Sequence, residues 1–598
     1  MKDTMNCQHA LSNDVVYKEV VVIGNGPSGM VTSFMLAGNV PYLKEVPEDI
    51  PIDEMLRARL SNLPKGQSLY DLDLTELAEG LEGRSQNPIP LLMDNLLRPC
   101  ADIGIEADSL IEWKYDAEKE VDHVVLGRGP AGGSWHTFPA SVRTLSPAAW
   151  LTLPPLGPAP SPTSPHSARL PASAVAAYCR RYVKACGLTR YFRSGVVVTG
   201  VRRAGRLASP CGQRCPHAAS FWVSGYDMCA GRAFRYACRR VVLACGAGER
   251  PNTLAARLAP SCLHRLAAVE RALALTHAVS DSGSGPPAVL VVGSGVSAAD
   301  AVLAARGAHA RVLHAHRRPP PALARLPPHQ YPDYCQVYKM MCDGSSGKYP
   351  YYTSYPEHTI VDIQPENDAP YSDHEDYRAI RPKRVKLLNL VTNQETEVTV
   401  SIVAVLIGSK PDLFFLQTNF NLSNIQLDAD CIKCTEETKI KKKIEDERRQ
   451  CFLRNQWLYI KSVLGQSIQS CKSRYLNYSE INGNSDTKCN SECKKTRDCS
   501  CDVIKTEVKS EIIPNKVKCQ CQPTNPYSNG LGFGIDPKKP VDGRSNPIAI
   551  DKSTHELLNA PKGLYALGPI TADNFIRFIP GGALAIAAHF HKERKLTE

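Results

Sequence analysis

The stretch Val20-Val21-Val22-Ile23-Gly24-Asn25-Gly26-Pro27-Ser28-Gly29 limits what this 598-residue chain can fold into more than any other. An apolar, β-branched run leads straight into Gly-x-Gly-x-x-Gly. Met30 to Leu36 then continues without a helix breaker. The order is strand, tight turn, helix start. Gly24 permits the turn, Gly26 lets a pyrophosphate approach the backbone, and Gly29 allows close helix–strand packing. A helix N-terminus offers unpaired N–H groups and a positive dipole end to phosphates. The stretch is expected to bind a dinucleotide; the competing reading is a purely structural glycine turn.

A second copy of this order runs from Ala288 to Asp300, with Gly293, Gly295 and, in the third-glycine place, Ala298. Its helix is expected to reach about Arg306 and the next strand to span Arg311 to His314. His316-Arg317-Arg318 follows. Two guanidinium groups there suit a 2′-phosphate, which favours NADPH over NADH; a solvated basic turn is the alternative. After the first motif the matching strand comes late. Glu45, Glu48 and Asp49 lie near the usual distance for a ribose-binding acid, but beside Pro47 and Pro51. Residues 38–120 therefore read as an insertion with short helices at Asp71 to Glu79 and Pro90 to Leu97, and the second strand as His123 to Leu126. Arg128 then stands where the acid is expected. Gly132-Gly133-Ser134-Trp135 follows, two glycines that let backbone lie against a flat ligand and an indole to wall it; a glycine loop with a core Trp is the alternative.

Residues 137–171 read as Pro/Ser-rich loop, and Ser173 as the N-cap of a helix reaching about Cys186. Val196 to Val201, Phe221 to Ser224 and Ala233 to Tyr236 read as strands of a small sheet. Arg240 to Leu243 is a buried strand that ends in Ala244-Cys245-Gly246-Ala247-Gly248, a crossing between domains under a cofactor; Cys245 reads as a buried thiol, not a nucleophile. The tyrosines between Tyr331 and Tyr355 either wall a pocket or pack on a surface loop. Strands follow at Arg384 to Leu390 and Val398 to Leu406, then a second crossing at Ile407 to Asp412. Near the C-terminus, Leu564 to Leu567 enters a loop with one acid, Asp573. Gly581-Gly582 is expected to open a helix aimed at a ring or ribityl chain.

No N-terminal run resembles a signal peptide and no stretch is apolar enough for a membrane span, so the expectation is a soluble, cytoplasmic protein with reduced cysteines and at most peripheral membrane contact. The formal charge is +11, but Cys431 to Cys521 holds 19 Lys/Arg against 12 Asp/Glu and so carries +7 of it. This distribution argues against a nucleic-acid-binding body. Ten of the 22 cysteines lie in residues 431–525 at irregular spacings and with no histidine among them, so no metal site is expected. The domain reading is a disordered leader at 1–16, a first dinucleotide domain at 17–250, a second at 251–402, return segments of the first at 403–430 and 525–598, and a disordered insert at 431–524. Within that insert Glu436 to Leu464 reads as a basic helix that touches a membrane surface or a protein partner, with a solvated helix as the favoured alternative.

The motifs in this order resemble those of α/β oxidoreductases with two Rossmann-like dinucleotide-binding domains, of the flavin-containing monooxygenase type. A closer resemblance is to the oxidative stress-induced growth inhibitor family, carried by Glu79 to Pro88, Gly127 to His136, Arg143-Thr144-Leu145-Ser146, Tyr331-Pro332-Asp333-Tyr334 and Asp573 to Phe578. The resemblance covers about residues 17–430 and 525–598. It implies FAD at Gly24, Gly26, Gly29, Trp135 and Asp573, with Gly132, Gly133 and Gly581 beside it, and NADPH at Gly293, Gly295, Arg317 and Arg318. It implies monooxygenase activity, with O2 and a substrate bearing a soft nucleophile (a small molecule or a protein side chain), and a role in restraining growth and promoting cell death under oxidative stress. An NADPH oxidase or reductase without oxygen insertion, and a non-catalytic scaffold, are the alternatives. No catalytic acid, base or nucleophile is assigned.

Overall fold

Residues 15–64, 66–105, 107–155, 168–204, 219–279, 287–317, 321–365, 380–416 and 530–597 are described in a computed structural model. Most of the expected leader, Arg318 and the whole of 431–524, including the candidate helix at 436–464, lie outside the described residues.

The apolar run at the first motif forms β1 (Val15–Ile23), followed by α1 (Pro27–Leu36). Val20, Val21 and Val22 are fully buried because both faces of the sheet are covered, and each contributes roughly 1.5–3 kcal/mol of hydrophobic stabilisation. The chain then leaves the sheet through β2 (Ala37–Leu43), α2 (Glu54–Ser61) and α3 (Pro88–Leu97), and returns through β3 (Ile111–Glu120) to β4 (His123–Gly127). β2 and β3 pair antiparallel, with Ala37 opposite Glu120. The expected insertion is thus closed at its base by a two-stranded ribbon, which brings its exit beside its entry and lets β4 pair parallel with β1. The helix expected at Asp71 to Glu79 is one turn, Leu74–Leu77, begun by the Asp73 carboxylate accepting from the Thr75 and Glu76 amides.

The expected loop at 137–171 contains two paired strands, β5 (Arg143–Pro147) and β6 (Arg169–Pro171). β6 leads into α4 (Ala172–Ala185), whose cap position is Pro171, not Ser173; Ser173 sits inside the first turn. β7 (Phe192–Ser194), β8 (Val196–Arg203), β9 (Phe221–Asp227) and β10 (Arg232–Leu243) follow. The parallel order is β7-β4-β1-β10, and β9 and β8 extend it antiparallel. The small sheet and the buried strand read separately from sequence are one, because β10 is long enough to pair with β9 from Arg232 to Cys238 and with β1 from Arg235 to Leu243. β11 (Arg250–Pro251) ends this passage.

The second sheet repeats the plan. After α5 (Leu266–Val279) come β12 (Ala288–Val292), α6 (Val296–Gly307), β13 (Arg311–His316), α7 (Pro332–Asp343), β14 (Tyr352–Pro356), β15 (His358–Pro365), β16 (Lys383–Asn389), β17 (Glu395–Val400), β18 (Ile402–Val405) and β19 (Ser409–Lys410). β14-β13-β12-β18 is parallel, and β15-β16-β17 is an antiparallel layer beside it. The strand expected at Val398 to Leu406 is divided at Ser401, because β17 belongs to the antiparallel layer and β18 to the parallel sheet. The two crossings pair with each other, Arg250 opposite Lys410.

β20 (Leu564–Ala566) returns to the first sheet beside β10, and α8 (Ile579–Thr597) closes the fold. The Arg240 guanidinium, buried against the Phe590 ring at 4.4 Å, joins β10 to Glu19 on β1 and Glu593 on α8. The expected tyrosine stretch runs through α7 and β14, and its first two rings join the start of α7 to the β5–β6 ribbon. Arg169 of β6 lies 4.7 Å over Tyr331 and 4.9 Å over Tyr334, and the Tyr331 hydroxyl donates to the Leu145 carbonyl. Among the described residues no helix is long and apolar enough to cross a membrane.

α8 begins at Ile579, two residues before Gly581. A Cβ on Gly581 would stand 2.3 Å from the Pro90 Cα and 2.6 Å from the Ile89 carbonyl oxygen of α3. The glycine is required by helix–helix contact. Gly581→Ala is expected to destabilise the fold by about 1–3 kcal/mol, whereas Gly307→Ala on α6, where a Cβ meets nothing within 4 Å, is expected to be neutral or to stabilise by up to about 1 kcal/mol. Urea midpoints of the two variants check this.

Candidate dinucleotide-binding sites

The first glycine loop stands at the carboxyl ends of β4, β1 and β10. Gly24 takes φ +115°, and a Cβ on it would lie 2.3 Å from the Ala244 carbonyl oxygen. Its amide donates to Leu126 (2.8 Å), and the Ala244 amide donates to Ile23 (2.8 Å). A Cβ on Gly29 would lie 2.0 Å from the Gly24 carbonyl oxygen. Gly26 is the opposite case, since a Cβ there meets nothing within 4 Å. That open face sits at the cap of α1, which has no side-chain cap and no acidic residue in its first turn. The first amides of α1 are therefore left for an external acceptor.

Gly132 and Gly133 close over this loop. The Gly132 amide donates to the Asn25 carbonyl at 2.9 Å, and a Cβ on Gly133 would be 3.1 Å from the Gly26 Cα. Trp135, in the turn that follows, is half-buried with Phe138 edge-on at 5.6 Å. From the C-terminal side the loop after β20 lies on the first turn of α1, since a Cβ on Gly568 would meet the Ser28 Oγ at 2.3 Å. Asp573 in that loop is buried, and its carboxylate accepts from the Ser85 hydroxyl and, at 2.9 Å, from the Asn87 amide; Asn87 also donates to the Thr571 carbonyl at 3.0 Å. Ser85 and Asn87 belong to a stretch that carries the family resemblance, but no property of their sequence neighbourhood marks them as partners of a residue nearly 490 positions away. Gly581 faces α3 and is placed by packing.

The second loop has the same build. Gly293 takes φ +138°, with a Cβ position 2.3 Å from the Leu406 carbonyl oxygen. Its amide donates to Ala315 (3.0 Å), and the Leu406 amide donates to Val292 (2.8 Å). Gly295 is open like Gly26 and caps α6 without a side-chain bond. Beneath the loop, His314 spans the Gly293 carbonyl (Nε2, 2.7 Å) and the Tyr352 hydroxyl (Nδ1, 2.9 Å). Burial pushes its pKa down to about 3, so the neutral ring donates from Nε2 and accepts at Nδ1. Arg317 is exposed directly after β13. Cys245 is half-buried, and desolvation pushes its thiol up to about 12, with Glu249 adding to the rise. It is an inert thiol at neutral pH.

Fold and loops together define an α/β protein with two dinucleotide-binding sheets of one plan. No family model matches the sequence. Over 592 residues it is 32% identical to oxidative stress-induced growth inhibitor 1 of Mus musculus, covering 96% of this chain and 95% of the relative. It is 33% identical to oxidative stress-induced growth inhibitor 2 of Homo sapiens, covering 96% and 94%. The chain belongs to the oxidative stress-induced growth inhibitor family. Among solved structures it is similar to the bacillithiol disulfide reductase of Staphylococcus aureus, at 12% identity, 97% and 99% coverage and a TM-score of 0.44.

Burial pushes the Asp573 carboxyl up to about 6, against the lowering effect of Ser85 and Asn87. A group raised in the folded state lends stability that is fully present below its unfolded pKa, near 4, and is lost as pH rises through the folded value. In flavin-free protein, the stability of the wild type relative to Asp573→Asn is expected to fall by about 1 kcal/mol between about pH 5 and about pH 7. Parallel denaturant titrations at the two pH values measure it.

Proposed function

We propose that the chain holds FAD at the first glycine loop and NADPH at the second and acts as a monooxygenase-like oxidoreductase that restrains growth under oxidative stress. The observation that carries this reading is the duplicated geometry: in each sheet the first glycine is pressed on a strand-end carbonyl while the second is open at an uncapped helix start. Both loops fit a diphosphate, because a Cβ on Gly26 or Gly295 would project into the space such a group needs. The growth-inhibitor names of the relatives support the cellular role.

Bound FAD would supply the redox chemistry, taking a hydride from NADPH and reacting with O2. The chain's residues bind, orient and shield. Gly24, Gly26 and Gly29 present the α1 amides to the FAD diphosphate, and Gly132, Gly133 and Trp135 wall the same loop. Asp573, held by Ser85 and Asn87, ties the C-terminal loop to the insertion, while Gly568 in the same loop lies on the first turn of α1. Gly293 and Gly295 do for NADPH what Gly24 and Gly26 do for FAD, and Arg317 and Arg318 offer guanidinium donors to its 2′-phosphate. This chemistry requires no nucleophile from the protein, and the oxygen acceptor is a soft nucleophile on a small molecule or a protein side chain.

Protein purified with its cofactor is expected to show flavin absorption bands and to release FAD on denaturation. Gly26→Asp, which has room for its side chain but sets a negative charge against the phosphates, is expected to fold and to lose those bands. With NADPH, O2 and a thioether or amine acceptor, peroxide is expected to fall short of the NADPH consumed. Peroxide equal to NADPH would assign an oxidase, and colourless protein whose growth effect survives Gly26→Asp would assign a scaffold.

A further inference from the structure

The two loops superpose in register on an unexpected point. Gly24 donates to the carbonyl of Leu126, and Gly293 to that of Ala315. Two residues past each accepting carbonyl stands an arginine, Arg128 in the first unit and Arg317 in the second. In a dinucleotide fold this is the neighbourhood of the adenosine ribose, where an acid takes the hydroxyls and an arginine takes a 2′-phosphate. On this criterion alone both sites would select a 2′-phosphate.

They differ in what faces the arginine. At the first site the strand end carries no acid and has no room for one, since β4 finishes at Gly127 and a Cβ there would lie 2.0 Å from the Asn25 Cγ. The Asn25 amide is committed to the Gly129 carbonyl at 2.6 Å. The carboxylate arrives from another element. Glu249, six residues beyond the end of β10, meets the Arg128 guanidinium at 3.5 Å. β4 and β10 flank β1 on opposite sides, so this pair reaches across the carboxyl end of β1, where the glycine loop begins. Arg265 anchors the Glu249 backbone carbonyl at 2.6 Å. Asp412, from the second crossing, adds like charge to Glu249 and has a buried Oδ1 with no hydrogen-bond partner. Arg128 is thus paired with Glu249, and with Arg265 and Asp412 added the group is balanced, two cations against two carboxylates. With its charge matched by Glu249, Arg128 is not free for a 2′-phosphate, and a carboxylate is left to accept from hydroxyls. At the second site Arg317 is instead followed by another arginine, Arg318.

We infer that Glu249, positioned by Arg128, is the acceptor for the adenosine ribose hydroxyls of FAD, supplied from the crossing after β10 in place of the acid missing from β4, and that it keeps the first site from taking a 2′-phosphorylated nucleotide. The inference rests on the assignment of FAD to the first loop.

Flavin-stripped full-length protein is titrated with FAD by flavin fluorescence, and bound FAD is displaced with ADP or with adenosine 2′,5′-bisphosphate. Wild type is expected to bind FAD and to release it to ADP far more readily than to the bisphosphate. Glu249→Gln is expected to weaken FAD and ADP alike by about tenfold or more, the loss of a hydrogen bond to a charged group. It should leave the melting temperature of the stripped protein and the band positions of bound flavin unchanged. It should also let the bisphosphate compete, because Arg128 is freed. Glu249→Asp is expected to recover part of the affinity. Unchanged FAD affinity in Glu249→Gln, or a wild type displaced equally well by the bisphosphate, would overturn the inference while leaving FAD at the first loop. A wild type that binds no FAD, or binds it equally well as Gly26→Asp, would overturn the assignment of FAD and this inference with it.

Discussion

Two backbone contacts hold the architecture together, the approach of Gly24 to Ala244 and that of Gly293 to Leu406. In each the loop after the first strand of a parallel sheet is pressed onto the end of the fourth, and an amide just past the fourth donates to the last carbonyl of the first. No side chain fits between, and both glycines adopt positive φ that a larger residue would strain. The contact turns the chain sharply into the helix, so the second glycine of each motif faces outward at the helix start. Everything attributed to cofactor binding depends on that turn.

The rest of the first unit is fastened around this point by buried polar links. Asp573 is tied to Ser85 and Asn87, and Arg577 lies between Asp94 and Asp102 with the Trp150 ring 4.2 Å from its guanidinium. Arg240 joins β1, β10 and α8. Buried charges of this kind add little net stability over apolar packing, but removing one partner is costly. They make the closing helix and the insertion interdependent. Several stretches that carry the family resemblance, scattered over the sequence, meet here: Ser85 and Asn87 with Asp573, and Leu145 with Tyr331. Their shared character is tertiary.

Much of the fold was legible because its signals are local. A β-branched run, glycines at fixed offsets and an unbroken apolar segment each act within a dozen residues, so both strand–turn–helix units, the late strand at His123 and the return of β20 could be read directly. The misreadings share a cause. Whether Arg232 to Leu243 is one strand or two depends on β9 and β1, neither of which is near it in sequence. The break at Ser401 depends on which sheet each half joins. Gly581 looked like the opening of a cofactor-facing helix because glycine pairs often serve that end; only the proximity of Pro90 shows that the residue is small for packing.

The sequence alone determined that there are two dinucleotide motifs, where each begins, and that the second is followed by arginines, because those features rest on steric and charge requirements of adjacent residues. Only the tertiary structure decided that Asp573 is locked by Ser85 and Asn87, that Arg128 faces a carboxylate, and that the β5–β6 ribbon meets α7 through Arg169 and Tyr331. Such pairings are set by which strand ends the parallel topology brings together, and a side chain's partner across a sheet has no fixed distance along the chain.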